Sequence, residues 1–108
     1  MPTATELVIG SATVMLNYDI TTGALRYEAA APKVPAADRV MALTIQRGDG
    51  DKPGPIVAQL LAPNQITGSG TLTMRGRNRE DLVGGRLYVH FYTKQSPLGA
   101  GREKITLR

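Results

Sequence analysis

Apolar and polar residues alternate through most of this 108-residue chain, and this period of two constrains its fold more than any other feature. Successive side chains of a β-strand point to opposite faces, so alternation is typical of strands with one buried face. Between residues 11 and 20, one parity holds Val14, Leu16, Tyr18 and Ile20. The pattern predicts a half-buried strand there.

Six further segments alternate in the same way and are separated by turn-forming residues. The seven predicted strands cover residues 11–20, 25–29, 39–47, 56–61, 71–75, 86–93 and 102–107. In the third strand Met41, Leu43 and Ile45 are expected to line one face, and Val40, Ala42, Thr44 and Gln46 the other. Residues 30–38 contain two prolines that cannot donate ladder hydrogen bonds, which predicts a crossover between sheets. The whole pattern predicts an all-β antiparallel fold, either a two-sheet sandwich or a closed Greek-key barrel.

Two segments interrupt the alternation. Residues 48–55 are rich in glycine and proline and predict the clearest loop of the chain. Residues 77–83 predict one helical turn, with Asn78 as its cap and with Glu80 and Asp81 favourable in its first turn. The glycines at positions 84 and 85 would end it.

The composition excludes several classes of function. The length suits one domain spanning residues 1–108. Cysteine is absent and His90 is the only histidine, so thiolate nucleophiles, disulfides and Cys-type zinc sites are excluded. The chain as given has neither a signal peptide pattern nor an apolar run of transmembrane length. We expect no cofactor, no metal and no membrane insertion, and whether a leader was removed stays open.

The last third of the chain is basic. Residues 75–108 contain eight Lys or Arg against three Asp or Glu, whereas residues 1–74 contain five against six. Such a positive field attracts polyanions, including nucleic acids and sulfated glycans. Arg75, Arg77 and Arg79 share strand parity and would form a cationic row if the strand of residues 71–75 continued. The alternative interpretation is that these cations are solvated outer residues that protect sheet edges.

The strand of residues 86–93 carries the main candidate binding face. Tyr88, His90 and Tyr92 share one parity, and Arg86 precedes them. One interpretation is a ligand platform, with aromatic rings for stacking and His and Arg as donors. The other is the partly buried second face of a central strand. A single histidine forms a transition-metal site only if carboxylates from distant loops converge on it.

The loop of residues 48–55 carries two weaker patterns. Asp49 and Asp51 would offer two oxygen ligands to calcium, but the third carboxylate and the distal Glu of an EF-hand are missing. Residues 47–49 spell Arg-Gly-Asp, the tripeptide of integrin ligands, although a match of three residues arises often by chance. No nucleophile elbow or phosphate-binding loop is present, so we expect no enzymatic activity. An enzyme would need a deep pocket and a carboxylate beside His90.

Five segments in order resemble the CHRD (chordin) domain family. They are Gly-Ser-Ala-Thr-Val at 10–14, Thr-Gly-Ala-Leu-Arg-Tyr at 22–27, Leu-Thr-Ile-Gln-Arg-Gly at 43–48 with Gly-Pro-Ile-Val at 54–57, Gly-Arg-Leu-Tyr-Val-His at 85–90, and Pro-Leu-Gly-Ala-Gly-Arg at 97–102. The resemblance implies an immunoglobulin-like or superoxide-dismutase-like sandwich in an extracytoplasmic or secreted protein. The family usually has histidine where this chain has Thr44, Gln46 and Tyr92, and often asparagine where it has His90. Any metal or proton role of those histidines would be lost here.

The opening segment of the family is reduced here to Met1–Ile9, which would leave a sheet edge open for pairing with another copy. The resemblance and the residues together predict a non-catalytic binding or structural module. It would contact a protein, or a second copy as a homo-oligomer, through the face of Arg86, Tyr88, His90 and Tyr92, the loop of residues 48–55 and a short sheet edge. The alternative function is polyanion binding through the basic third.

Overall fold

The computed structural model describes residues 4–32, 34–35, 37–48, 53–97 and 99–107. Within these ranges the chain forms eight strands and one helix: β1 (Ala4–Ile9), β2 (Ala12–Tyr18), β3 (Ala24–Ala30), β4 (Val40–Gly48), β5 (Pro53–Leu61), β6 (Thr67–Thr73), α1 (Arg77–Val83), β7 (Leu87–Thr93) and β8 (Gly101–Lys104). Every strand pairing is antiparallel. The all-β prediction is confirmed, with one strand more than the seven predicted because residues 4–9 also form a strand.

The strands form two sheets of four that pack face to face. The first sheet has the order β1-β2-β3-β6 and the second has the order β5-β4-β7-β8. The alternating apolar positions of both sheets point between them, and the largest fully buried side chains include Tyr18, Phe91, Ile9, Leu25, Leu43 and Ile45. The predicted crossover of residues 30–38 is confirmed, because it connects β3 of the first sheet to β4 of the second.

A tight turn joins β1 to β2 and fixes their register. Gly10 has φ +61°, in the left-handed region that glycine adopts most easily. Gly10 and Ser11 form the two-residue connection, and Ile9 lies opposite Ala12. A glycine at the first central position is what a type II′ hairpin turn requires. The register therefore continues without a shift from Ala12 back to the first residue of β1.

Two predictions from the alternation are wrong. Val40 is 1% exposed and Met41 is 43% exposed, so Met41 does not share the buried face of Leu43 and Ile45. A register shift between Val40 and Ala42 in the pairing with β7 accounts for the exchange, since a bulge inverts the parity of the residues before it. Ile20 is 40% exposed because β2 ends at Tyr18, two residues before it.

The helical prediction is confirmed over residues 77–83, but its cap is different. The N-cap position is Gly76, which has no side chain to accept a hydrogen bond, and Asn78 lies inside the helix. Gly84 occupies the C-cap and Gly85 follows with φ +75°, as expected for a glycine-terminated helix. Among the described residues, no helix is long and apolar enough to cross a membrane.

Candidate functional site

The predicted binding face lies on the outer surface of the second sheet. Leu87, Val89 and Phe91 point into the core, so the residues between them on β7 point outward. His90 lies opposite Thr44 on β4 and opposite Arg102 on β8. Its ring centroid is 6.4 Å from that of Tyr88 and 6.1 Å from that of Tyr92. The structure therefore brings these three β7 side chains together, as the alternation predicts.

This face is closely packed and its polar groups bond to one another. Thr44 Oγ1 and Tyr92 Oη both donate to Gln46 Oε1, at 2.6 and 2.9 Å, and Gln46 Nε2 donates to the carbonyl oxygen of Gly54 at 3.0 Å. Thr44, Gln46 and His90 are all less than 7% exposed. Donors and acceptors that satisfy one another inside a packed layer are not available to a ligand. The structural interpretation of this face thus fits its geometry better than the ligand platform.

The imidazole of His90 has an environment that disfavours its charged form. Burial lowers the pKa of His90 below its usual value, and the positive charge of Arg102 lowers it further. Among the described residues, no carboxylate accepts a hydrogen bond from this ring. In the same residues, no group of three His, Asp or Glu side chains is placed to hold a metal ion.

Arg86 turns away from the predicted face and binds Asp81 of helix α1. Its Nε lies 2.8 Å from Asp81 Oδ1, while Arg47 Nε lies 2.6 Å from Asp81 Oδ2. Arg47 also donates to Asn78 Oδ1. Hydrogen bonds from Arg86 and then from Arg47 hold the pKa of Asp81 below its usual value. Asp81 therefore links α1 to the end of β4 and to the residue that precedes β7.

The sequence patterns missed the role of Asp81. Alternation and helix-capping rules describe neighbours along the chain, whereas Arg47 lies 34 residues before Asp81. The only available signal was an acidic residue next to Leu82, on the helix side that is buried. The Arg-Gly-Asp tripeptide begins with this same Arg47, whose guanidinium is already bound. Its Asp49, and with it the calcium candidates Asp49 and Asp51, lie outside the described residues.

The predicted cationic row takes a different geometry. β6 ends at Thr73 and α1 begins at Arg77, so Arg75, Arg77 and Arg79 do not lie on one continuous strand. Arg77 Nε is 3.7 Å from Asp81 Oδ2. Arg75 and Arg79 are exposed and line the same surface cavity of about 270 Å³, beside the turn of residues 20–23. Two of the three arginines therefore remain together.

The strand β1 is the feature that best meets the expectation of an open sheet edge. It is six residues long, contains no proline, lysine or arginine, and pairs with β2 without a register shift. Proline, positive charges and bulges are devices that proteins commonly use to block an edge, and β1 carries one charged residue, Glu6. Val8 on the outer face of β1 is 63% exposed, and Met15, which lies opposite Glu6 on β2, is 54% exposed. A cavity of about 540 Å³ separates residues 5–8 of β1 from β8.

The other three edge strands are each interrupted or charged. β5 contains Pro53 and Pro55, and its pairing with β4 has three register shifts. β8 is four residues long and presents Arg102 and Lys104. β6 has glycine at two of its seven positions, which weakens a strand. Among the described strands, β1 is thus the edge with the fewest obstacles to pairing.

Comparison with known proteins adds no relative: no family model, no curated protein and no solved structure matches the chain.

Proposed function

We infer that the chain is a non-catalytic binding module of CHRD type that acts through protein–protein contact. The single observation that carries this inference is the edge of β1, which has a regular register, no proline and an exposed Val8. An extended segment of another protein would pair with this edge and add a strand to the first sheet. The backbone supplies affinity in this mode of recognition, and the side chains of the exposed face supply specificity.

The resemblance to the CHRD family gains support from the second sheet. Three positions where that family usually has histidine are Thr44, Gln46 and Tyr92, and their side chains converge on a single amide oxygen. Thr44 and Gln46 are neighbours on β4, and Tyr92, 46 residues after Gln46, is adjacent to them in space, as a site shared between strands requires. The Greek-key connectivity is part of the same proposal. It is supported by the strand orders β1-β2-β3-β6 and β5-β4-β7-β8.

We place the proposed contact on β1 and β2 and not on the predicted face of Arg86, Tyr88, His90 and Tyr92. Arg86 binds Asp81 and Tyr92 binds Gln46, so two of these four side chains are already bonded, and His90 is only 6% exposed. A partner would gain little by competing with those bonds. The outer face of β1 and β2 carries exposed side chains without such bonds among the described residues.

Peptide display tests this function. The immobilised chain is used to select extended heptapeptides. The affinity of each selected peptide is then measured for the wild-type chain, for Val8→Pro, which removes one edge N–H, and for Ile56→Lys as a control. Ile56 is 64% exposed on β5 and matches Val8 in exposure. We expect peptides whose binding falls at least about tenfold in Val8→Pro, the equivalent of one hydrogen bond, and is unchanged in the control. A selection that yields no peptide sensitive to Val8→Pro would contradict the proposal.

A second candidate function is polyanion binding, and the cavity shared by Arg75 and Arg79 favours it. Two exposed guanidinium groups on one surface can contact neighbouring phosphate or sulfate groups. We expect the double variant Arg75→Glu/Arg79→Glu to elute from heparin at lower salt than the wild-type chain. Lys94→Glu with Arg39→Glu is the matched control, because it makes the same change of charge at exposed positions elsewhere. Equal elution of the two double variants would exclude a specific patch.

A further inference from the structure

Two neighbouring cavities at one end of the sandwich share part of their lining. The larger cavity has a volume of about 420 Å³ and lies between the end of β2, the end of α1 and the residues that follow β8. The smaller cavity, of about 270 Å³, is the one that Arg75 and Arg79 line. Tyr18 and Ile20 line both cavities. A molecule in the larger cavity is therefore adjacent to the two arginines.

The larger cavity has an apolar lining that the fold leaves partly open to water. Ile20 is 40% exposed and Val83, at the end of α1, is 61% exposed. The same lining includes the buried Leu82 and Ile105 and the half-buried Leu107. A volume of about 300–1,000 Å³ and a mostly apolar lining are typical of sites for small molecules. This cavity therefore suits the apolar part of a ligand.

The smaller cavity supplies positive charge that has no internal partner. Arg75 and Arg79 are exposed, and no carboxylate forms an ion pair with either guanidinium among the described residues. Asp19 lies in the adjacent turn, but its Oδ1 accepts hydrogen bonds from the backbone N–H groups of Thr21 and Thr22. Guanidinium groups bind phosphate and sulfate oxygens through paired N–H donors. The smaller cavity therefore suits the anionic part of a ligand.

We propose that this end of the sandwich binds a small amphipathic anion, an apolar group that carries one phosphate or sulfate ester. The apolar group would occupy the larger cavity, and the anionic group would contact Arg75 and Arg79 in the smaller one. This inference goes beyond both functions proposed above and shares only these two arginines with the second. A long polyanion needs the arginines alone, whereas this ligand needs both cavities.

Lys104 is a further cation at the larger cavity, and its position assigns it a different part in binding. Its side chain lies over Gly85, where an added Cβ would come within 2.8 Å of Lys104 Cε. The aliphatic stem thereby extends the apolar wall. Its ammonium group is a single point charge, whereas a guanidinium offers paired donors. We therefore assign the anionic group to the arginines and not to Lys104.

NMR titration of the full chain with hexyl sulfate, inorganic sulfate and hexanol tests the two cavities together. We expect hexyl sulfate to bind at least about tenfold more tightly than either of its parts, because burial of methylenes and charge-assisted hydrogen bonds then act in one ligand. Butyl sulfate should bind several-fold more weakly, since each buried methylene contributes up to about fourfold. The largest amide shifts should fall in residues 18–23 and 82–85. Hexyl sulfate that binds no more tightly than inorganic sulfate overturns the inference.

Charge variants test the smaller cavity. Arg75→Gln/Arg79→Gln should lower the affinity for hexyl sulfate at least about tenfold, the equivalent of one hydrogen bond to a charged group. Arg39→Gln/Lys94→Gln is the matched control, because it removes the same charge at exposed positions elsewhere. Lys104→Met keeps an aliphatic side chain without the charge and should retain most of the affinity. A loss in Lys104→Met that equals the loss in the double arginine variant would overturn the assignment of the anionic group.

A variant of the apolar wall tests the larger cavity. Val83→Ser should lower the affinity for hexyl sulfate about threefold and leave that for inorganic sulfate unchanged. Ile56→Ser is the control, since Ile56 is 64% exposed on β5 and matches Val83 in exposure. Circular dichroism shows that each variant is folded. Equal affinities of Val83→Ser and Ile56→Ser for hexyl sulfate would overturn the placement of the apolar group.

Two further measurements separate this inference from its neighbours. Heparin retention that depends on Arg75 and Arg79, in a chain that binds hexyl sulfate no more tightly than sulfate, would overturn the inference and leave polyanion binding standing. Vesicles of phosphatidylcholine with and without phosphatidic acid distinguish the two sources of such a ligand. Binding to the acidic vesicles that Val83→Ser weakens identifies a membrane lipid. Binding of hexyl sulfate without binding to either vesicle identifies a soluble ester.

Discussion

His90 illustrates how a polar residue on an outer sheet face becomes part of the structure. It is 6% exposed, lies opposite Thr44 and Arg102, and has Tyr88 and Tyr92 on either side along β7. Burial and the nearby guanidinium both disfavour the imidazolium form. At neutral pH the ring is therefore uncharged and packs within the polar layer. Protonation of the ring in acid places an unfavourable positive charge in that layer.

Acidification should destabilise the chain through His90. Because the folded pKa of His90 is lowered, the unfolded chain binds its proton first as the pH falls below about 6.5. We expect the free energy of unfolding to be unaffected by His90 above that pH and to decline below it, down to the folded pKa. Urea denaturation at pH values from about 5 to 7.5 measures this decline. His90→Asn should flatten it, and an unchanged slope in that variant would contradict the assignment.

The effect of the Arg102 charge should be measurable in the pKa of His90. Replacing Arg102 by Gln removes one of the two causes of the lowered pKa, so we expect the pKa of His90 to rise. It should stay below its usual value because burial, the larger cause, remains. The chain has one histidine, so an NMR titration of its imidazole protons is unambiguous. Lys94→Gln, at an exposed position, is the control and should leave the pKa of His90 in place.

At the scale of secondary structure elements, the carboxylate of Asp81 holds α1 against the second sheet. The helix has only seven residues, and an isolated helix of that length is unstable in water. Leu82 packs in the core, and Asp81 receives hydrogen bonds from Arg47 near the end of β4 and from Arg86 just before β7. The helix is therefore held by tertiary contacts at two neighbouring positions rather than by its own propensity or by a side-chain cap.

Asp81→Asn should loosen this helix more than a change at its exposed neighbour. The amide cannot balance the guanidinium groups of Arg47 and Arg86, so we expect a clear drop in the free energy of unfolding and faster amide exchange in residues 77–83. Glu80→Gln removes the same charge one residue earlier and should have a small effect. In the wild-type chain the contribution of Asp81 is present above about pH 4 and disappears as the pH falls through its lowered pKa. Similar losses in both variants would contradict the anchoring role.

Local patterns predicted the elements well because each depends on neighbouring residues. The alternation located β2, β4 and β7, and the glycine pair located the end of α1. The pattern failed where the structure depends on distant residues or on backbone irregularity. The bulge near Val40 exchanges the faces of Val40 and Met41. Strand β1 lies in a segment with only a short alternation. The bonds that engage Arg86 and Tyr92 come from α1 and β4, so no reading of β7 alone distinguishes a platform from a packed layer.

At the scale of the whole molecule, net charge separates the pairing of two copies of the chain from polyanion binding. Each chain carries a formal charge of +4, so two copies repel each other over distances set by the ionic strength. Polyanion binding, in contrast, depends on attraction and on the release of counterions. Salt should therefore act on the two equilibria in opposite directions.

Raising the NaCl concentration should strengthen self-association and weaken heparin binding. The Debye length falls from about 30 Å at 0.01 M to about 8 Å at 0.15 M, which screens the repulsion between chains. Sedimentation equilibrium should show a larger dimer fraction at the higher salt. Heparin affinity measured under the same conditions should fall steeply, with a negative slope of log K against log salt. A dimer fraction that falls with salt would mean that opposite charges hold the copies together, which the backbone pairing of β1 does not predict.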